Sequence, residues 1–288
     1  MKKIKKLFVL LLLLIPITTG CSNDDMDNIE IIVTNYPNEY ITEELYKEHA
    51  TITSIYPDGV DINNYKISTK QKNDYAKKDL FIYNGLIEKE RNLAVDLLAI
   101  NPDLKIIDTA YVLETDYSPE ELWLNPSSLL MMAQNVRLGL EEYITNNYLK
   151  KEVEEKYEAL KVELSELDAN YRVDVENTDN KTIVVANSAL KYLEKFGIEV
   201  ICIDNDATEK TLSTVENLIN NKEISYIATF QNDKLPDNAK KIMDKHSEIK
   251  KLELHKLDNI SDNDRSENKN YITIMEYNLE KIKQELYQ

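Results

Sequence analysis

The chain has 288 residues, 30% of them charged and 42% hydrophobic, which fits one large or two ordinary folded domains and not a disordered chain. Its formal net charge is −17. Removing residues 1–20 takes away four Lys and no acid, so −17 becomes −21, and such a surface repels phosphate backbones and excludes nucleic acid as a partner.

The first residues read as a secretory signal. Lys2, Lys3, Lys5 and Lys6 make a basic start, Leu7 to Ile17 is an apolar run, and Thr18, Thr19, Gly20 and Cys21 follow. As a helix the run reaches only roughly 16 Å against a hydrocarbon core of ~30 Å, so it is a poor membrane span. Small residues directly before a lone Cys resemble a bacterial lipobox, with Thr18 where Leu is most common. That resemblance implies lipidation of Cys21 and anchoring to the outer face of the cell membrane; a surface this acidic gains no hold on anionic headgroups. The other cysteine, Cys202, lies in the apolar stretch Val200 to Ile203 and reads as a small buried hydrophobe, leaving no intrachain disulfide.

Ser22 to Asn28 is polar and reads as a tether. Ile29 to Tyr36 reads as a strand, Glu39 to His49 as a helix, and Thr51 to Tyr56 as a strand ending in the turn Pro57-Asp58-Gly59. Thr69 to Lys78 reads as a polar helix, Leu80 to Tyr83 as a short strand stopped by Asn84-Gly85, Leu86 to Ala99 as a helix and Leu104 to Asp108 as a strand. Tyr111 to Asn125 carries acids, Pro119 and the only Trp, Trp123. Pro126 can open a helix over Ser127 to Tyr143, broken at Asn146-Asn147.

The stretch Leu149 to Tyr171 organises the chain. Leu149, Val153, Tyr157, Leu160, Leu164, Leu167 and Tyr171 fall on one stripe of a 3.6-residue helix, with Lys, Glu and Asp filling most of the other face. At ~1.5 Å per residue that helix is roughly 35 Å long, too long for one crossover in a compact sheet. After it the strand-helix rhythm repeats. Strands are expected at Thr182–Ala186, Ile198–Ile203, Ile224–Phe230 and Lys251–Leu257, and helices at Ala189–Phe196, Thr208–Asn220, Pro236–His246 and Tyr271–Tyr287.

The fold class expected is α/β: two lobes, each a roughly four-stranded parallel sheet flanked by helices, joined by one long rigid helix. The organisation runs as a signal over 1–20, a lipidated Cys and tether over 21–28, an N-terminal lobe over 29–147, a linking helix over 148–175 and a C-terminal lobe over 176–288. A monomer is expected.

Open parallel sheets bind ligands at the carboxyl ends of their strands. Four segments should then face the gap: the turn after Thr51–Pro57, the loop before Pro126, and the ends of the strands Thr182–Ala186 and Ile224–Phe230. Here the residues Gly59-Val60-Asp61-Ile62-Asn63-Asn64-Tyr65, Asp79-Leu80-Phe81-Ile82-Tyr83-Asn84-Gly85, Leu122-Trp123-Leu124-Asn125-Pro126, Val184-Val185-Ala186-Asn187 and Leu252-Glu253-Leu254-His255-Lys256-Leu257 occur in order. They resemble the family patterns G-V-D-P-H-D-Y, A-D-L-F-V-Y-N-G-L, D-P-H-V-W-L-D-P, V-V-S-H and L-x-L-H-P-L. The family is that of the zinc- and manganese-binding solute receptors of ABC transporters, and the resemblance spans nearly all of the chain after the signal. It implies two α/β lobes on one long helix, a transported divalent metal as ligand, and ABC permease and ATPase subunits as partners.

The departure lies at the ligands. In the family three His and one carboxylate converge on the metal; carried over, those places are Asn63, Glu121, Asn187 and Gln231. Zinc prefers imidazole, thiolate or carboxylate, whereas amide oxygens suit hard cations. Asp58, Asp61 and Trp123 are candidate supports of the same cleft, with Asp61 expected to hold its own turn. Zinc or manganese binding is therefore expected to be weak or absent. Two alternatives stand beside a metal receptor: a surface scaffold or adhesion-type lipoprotein that keeps the fold, or a receptor for a small polar solute. No resident cofactor is implied. No Gly-rich phosphate loop and no nucleophile motif is present, so no enzyme is expected. The three His, at 49, 246 and 255, sit at no metal-ligand spacing and read as surface or capping residues.

Overall fold

The computed structural model describes residues 26–287; the signal, the lipobox motif and Cys21 lie outside the described residues. Two parallel sheets form. The first holds β1 (Ile29–Val33), β2 (Ala50–Ser54), β3 (Leu80–Tyr83) and β4 (Lys105–Asp108), in the order β2-β1-β3-β4. The second holds β5 (Thr182–Val185), β6 (Glu199–Cys202), β7 (Tyr226–Phe230) and β8 (Lys250–Leu254), in the order β6-β5-β7-β8. The two sheets thus share one winding, second-first-third-fourth, and all pairings are parallel. β3 is buried along its whole length, as a central strand covered on both faces must be.

The helices of the N-terminal half are α1 (Tyr36–Tyr46), α2 (Thr69–Tyr75), α3 (Glu88–Ile100), α4 (Glu121–Leu124) and α5 (Pro126–Tyr143). α1 starts three residues before the helix expected at Glu39. Asn35 accepts from the N–H of Asn38 at 3.2 Å and Pro37 sits in the first turn, so the strand ends at Val33 and the cap takes over. Gly139 of α5 lies against β4: a Cβ there would come within 2.6 Å of Ile107 Cγ1, so only glycine allows this helix-to-strand approach.

The linking helix α6 (Asn147–Glu176) has 30 residues, roughly 45 Å, and outruns the loop expected from Asp174. Asn146 caps its first turn, accepting from Tyr148 N–H at 2.8 Å. The expected stripe is buried from Leu149 to Tyr171 and is extended by Val175. It packs against α1, α5 and the last helix, α10. A single apolar cluster follows from this: Ile31 and Val33 of β1, Leu160 and Leu164 of α6, and Ile183 and Phe230 of the second sheet all belong to it.

The C-terminal half adds a 3₁₀ helix (Ser188–Phe196), α7 (Glu209–Asn220), α8 (Asp237–Lys245), α9 (Asp262–Ser266) and α10 (Tyr271–Leu286). The segment expected as an α-helix at Ala189–Phe196 is instead 3₁₀ and stops at Gly197, whose φ of 90° favours glycine. At the start of the described chain, Met26 is buried, its carbonyl accepting from the Tyr46 hydroxyl, and Asp27 meets His49 Nδ1 at 2.9 Å. Residues 26–28 therefore belong to the folded body. Among the described residues no helix is long and apolar enough to cross a membrane.

Candidate functional site

A cleft of about 550 Å³ opens between the lobes at the carboxyl ends of the strands. Its walls are Gly59 to Asn63 after β2, Gln231 to Asp233 after β7, and a run after β8 from His255 to Asp264. The third wall was missed by the four segments expected from sequence. It also ties the lobes together. Gly59 N–H donates to Ile260 C=O at 2.8 Å, Tyr36 N–H to Asp258 C=O at 3.1 Å, and the Asn259 amide to Pro57 and Val60 C=O at 2.9 and 3.0 Å. Arg265 of α9 clamps Asp58 twice, at 2.5 and 2.9 Å, and Glu39 once, at 2.7 Å.

Of the four places carried over from the family, Asn63 and Gln231 line this cleft together. Asn187 is not among its lining residues. Its side-chain oxygen accepts from Ala189 N–H at 2.9 Å, capping the 3₁₀ helix, while its amide nitrogen lies 3.5 Å from Asp233 Oδ2. Glu121 is not among the lining residues either. Its buried carboxylate accepts three backbone N–H groups, from Asp116, Tyr117 and Ser118 at 3.3, 2.5 and 2.6 Å, and so folds its own loop. The same loop touches the other lobe where Tyr117 donates to Glu194 at 2.7 Å.

The supports have separate tasks. Asp61 accepts from Asn63 N–H at 2.9 Å and from the Asn64 side chain at 2.5 Å; these bonds hold its carboxyl below the usual range. Asp58 is held by Arg265, as above. Trp123 is fully buried, its indole N–H donating to the backbone carbonyl of Lys256 at 3.0 Å, and its own carbonyl accepts from the Tyr271 hydroxyl at 2.7 Å.

Lys256 and Lys269 are the lysines that line the cleft, and Lys256 is the more buried of the two. The Lys256 Nζ lies 3.5 Å from Asp258 and 3.8 Å from Glu120, and its side chain is 15% exposed. Burial alone would pull the ammonium pKa down, but Asp258, Asp233 and Glu120 outweigh it and hold the group above the ordinary lysine value. Burial lifts the Asp258 carboxyl even with Lys256 beside it. His255 is inward rather than on the surface: its Nδ1 accepts from Leu257 N–H at 2.9 Å, Nε2 stands 3.6 Å from Asp264, and burial lowers its pKa. His49 and His246 are also largely shielded. Cys202 is partly buried against the core, with its thiol pushed up to about 11 by burial.

The donors fit a transported divalent metal poorly. Among the described residues no group of three or more His, Cys, Asp or Glu side chains is placed to hold a metal ion. The oxygen of Asn187 and the carboxylate of Glu121 already have partners within their own loops.

A family model described as ZnuA, zinc-uptake complex component A, periplasmic, matches residues 31–285. The zinc-binding lipoprotein AdcA of Streptococcus pneumoniae strain R6 is 23% identical over 99% of this chain; the chain spans 61% of that relative's length. The high-affinity zinc uptake system protein ZnuA of Bacillus subtilis is 20% identical, over 93% of this chain and 91% of its own. In fold, the chain is similar to the laminin-binding protein Lmb of Streptococcus agalactiae, described as a bifunctional protein with adhesin and metal-transporting activity. That likeness has a TM-score of 0.74 at 21% identity and covers 90% of this chain and all of that one.

Proposed function

We propose a function from one premise: this chain belongs to the family of the periplasmic component A of zinc-uptake complexes, whose model spans most of it. Members of the family are substrate-binding receptors and not an enzyme class. For this chain the reading is an extracytoplasmic, lipid-anchored substrate-binding protein of a metal-type ABC transporter. It delivers its ligand to permease and ATPase subunits and is divergent, with weak or absent affinity for zinc and manganese.

One observation carries the divergence. At the four ligand places stand three amides and one carboxylate, and that carboxylate, Glu121, is filled by three backbone N–H groups. Zinc would have to displace those bonds and would meet no imidazole at any of the four places. Titration calorimetry of the purified mature chain with Zn²⁺ and Mn²⁺ tests it: the expected result is no isotherm tighter than about micromolar Kd. A tight zinc isotherm overturns it.

A second reading is a surface scaffold or adhesin that keeps the fold without the metal. The fold likeness to an adhesin of this architecture favours it. Saturable binding to immobilised laminin, unchanged by chelator, would select this reading, and no binding would retire it for that partner. A small polar solute held by Asn63 and Gln231 is the third possibility, read by the same calorimeter.

A further inference from the structure

Most of the third wall of the cleft is one short segment, Asp258 to Glu267, which includes α9. It is bounded by two residues in left-handed backbone, Leu257 with φ of 62° and Asn268 with φ of 54°. Leu257 is fully buried, and a bulky residue in that conformation persists only where its surroundings fix it. Both roots of the segment are fixed, and by the same residue. Before it, the Trp123 indole N–H donates to Lys256 C=O at 3.0 Å, and Leu257 N–H donates to His255 Nδ1 at 2.9 Å. After it, Tyr271 is fully buried and its hydroxyl donates to Trp123 C=O at 2.7 Å.

Between the roots the segment braces itself. The Ser261 hydroxyl accepts from Asp264 N–H at 3.1 Å, and Lys269 holds the Asp264 carboxylate at 2.9 Å. Ile260 is its only apolar residue. The bonds that tie it to the N-terminal lobe are polar: Tyr36, Gly59 and Asn259 supply some, and Arg265 clamps Asp58 and Glu39. The lobes are joined differently, through the apolar cluster that runs from the first sheet across α6 to the second. Parting the lobes would wet that cluster, whereas lifting the segment wets one isoleucine. The segment is therefore the wall that gives way first.

We propose that residues 258–267 form a hinged flap, latched by Arg265 onto Asp58 and Glu39, and that its lifting, with the lobes still joined, admits small ligands to the cleft. This rests on the receptor reading above and adds the route by which the cleft is entered. The latch is ionic and 37% exposed at Arg265, so salt weakens it. His255 reports the movement. It lines the cleft, and its Nε2 stands 3.6 Å from Asp264 of the flap, so lifting bares that nitrogen. Gly59 and Ser261 face each other across the closed flap. A Cβ on Gly59 would stand 3.9 Å from Ser261 Cβ, within the about 3.5–4.5 Å that a disulfide spans.

The test compares the mature chain with Arg265→Gln, Arg265→Lys and the pair Gly59→Cys, Ser261→Cys. Hydrogen exchange and carbethoxylation of histidines are read by mass spectrometry, with His49 and His246, which do not line the cleft, as reference. Labelling lasts minutes, too short for β5, β7 and α6 to exchange. R265Q is expected to speed exchange of Gly59 and of residues 258–267 at least about 10-fold, and modification of His255 with it. R265K keeps the charge without the double hold on Asp58 and should fall between. Added salt should speed wild type and leave R265Q unchanged. The oxidised cysteine pair should shield His255, and reductant should bare it again. Unchanged exchange in R265Q overturns the latch. Exchange of β5, β7 and α6 at the same labelling times overturns the flap in favour of lobe separation. So does modification of His255 that ignores the oxidised pair. Gly59 has a φ of 71°, where a Cys is strained, so the Arg265 variants decide by themselves if the pair folds poorly. These measurements use no ligand, so their failure stays distinct from that of the receptor reading, which calorimetry decides.

Discussion

The indole N–H of Trp123 and the backbone carbonyl of Lys256 meet at 3.0 Å, joining residues 133 apart in sequence and on opposite lobes. The bond fixes the backbone from which the ammonium reaches into the cleft. Trp123→Phe removes the donor, leaves a buried carbonyl unpaired and opens a small void. The expected loss is roughly 2–4 kcal/mol of stability, read by urea unfolding. Unchanged stability would mean that water or a shifted neighbour replaces the donor.

Arg265 binds two N-terminal acids at once, Asp58 and Glu39, of which Glu39 is buried. Arg265→Gln should leave Glu39 without its cation. Arg265 is 37% exposed, so solvent screening limits the expected cost to about 1–3 kcal/mol. Combining it with Glu39→Gln should recover part of the loss. A double variant as unstable as the sum of both singles would deny the coupling.

Glu90 is fully buried at the carboxyl ends of β1 and β3. It accepts from the Thr34 hydroxyl at 2.6 Å and from Asn84 N–H at 2.8 Å. Burial raises its pKa to about 7, against the opposing pull of those two bonds. A carboxyl raised on folding favours the folded state when protonated. That contribution is complete below the ordinary value of 4.5, fades as pH rises towards 7 and is gone above it. Melting temperature should therefore fall between pH 5 and 8 by an amount equivalent to ~3 kcal/mol at most. Glu90→Gln should flatten that slope. An identical slope in the variant would assign the pH dependence elsewhere.

Val112 has a φ of 58° and is 83% exposed. A β-branched residue in left-handed backbone is strained, and here packing gives little in return. Val112→Asn should raise stability by about 0.5–1 kcal/mol, read as an upward shift in the urea midpoint. A loss would show that the valine side chain has a partner in solution.

The strands and the long helix could be read directly from residue patterns. Leu80 to Tyr83 is apolar without interruption because both faces of β3 are covered, and the stripe from Leu149 to Tyr171 keeps one phase because one face of α6 carries both lobes. Elements governed by local bonding were harder to see. Asn35 and Pro37 start α1 early, and Ser188 to Phe196, bounded by the Asn187 cap and Gly197, winds as 3₁₀, which no periodicity distinguishes from an α-helix over nine residues. Asn63 and Gln231 line the cleft from different walls, while the carboxylate of Glu121 is bonded within its own loop. Lys256 and Asp258 were missed because their direction depends on the left-handed Leu257, which no periodicity reveals. One signal was present: a Lys and an Asp bracketing an apolar residue just after an alternating strand.

The apolar cluster shared by the sheets and α6 bears on how the body comes apart. Neither half can be peeled away without wetting side chains that the other half shields. Heating should therefore give a single calorimetric transition rather than two, with both halves losing amide protection together. Proteolytic nicking within α6 should dissolve both at once.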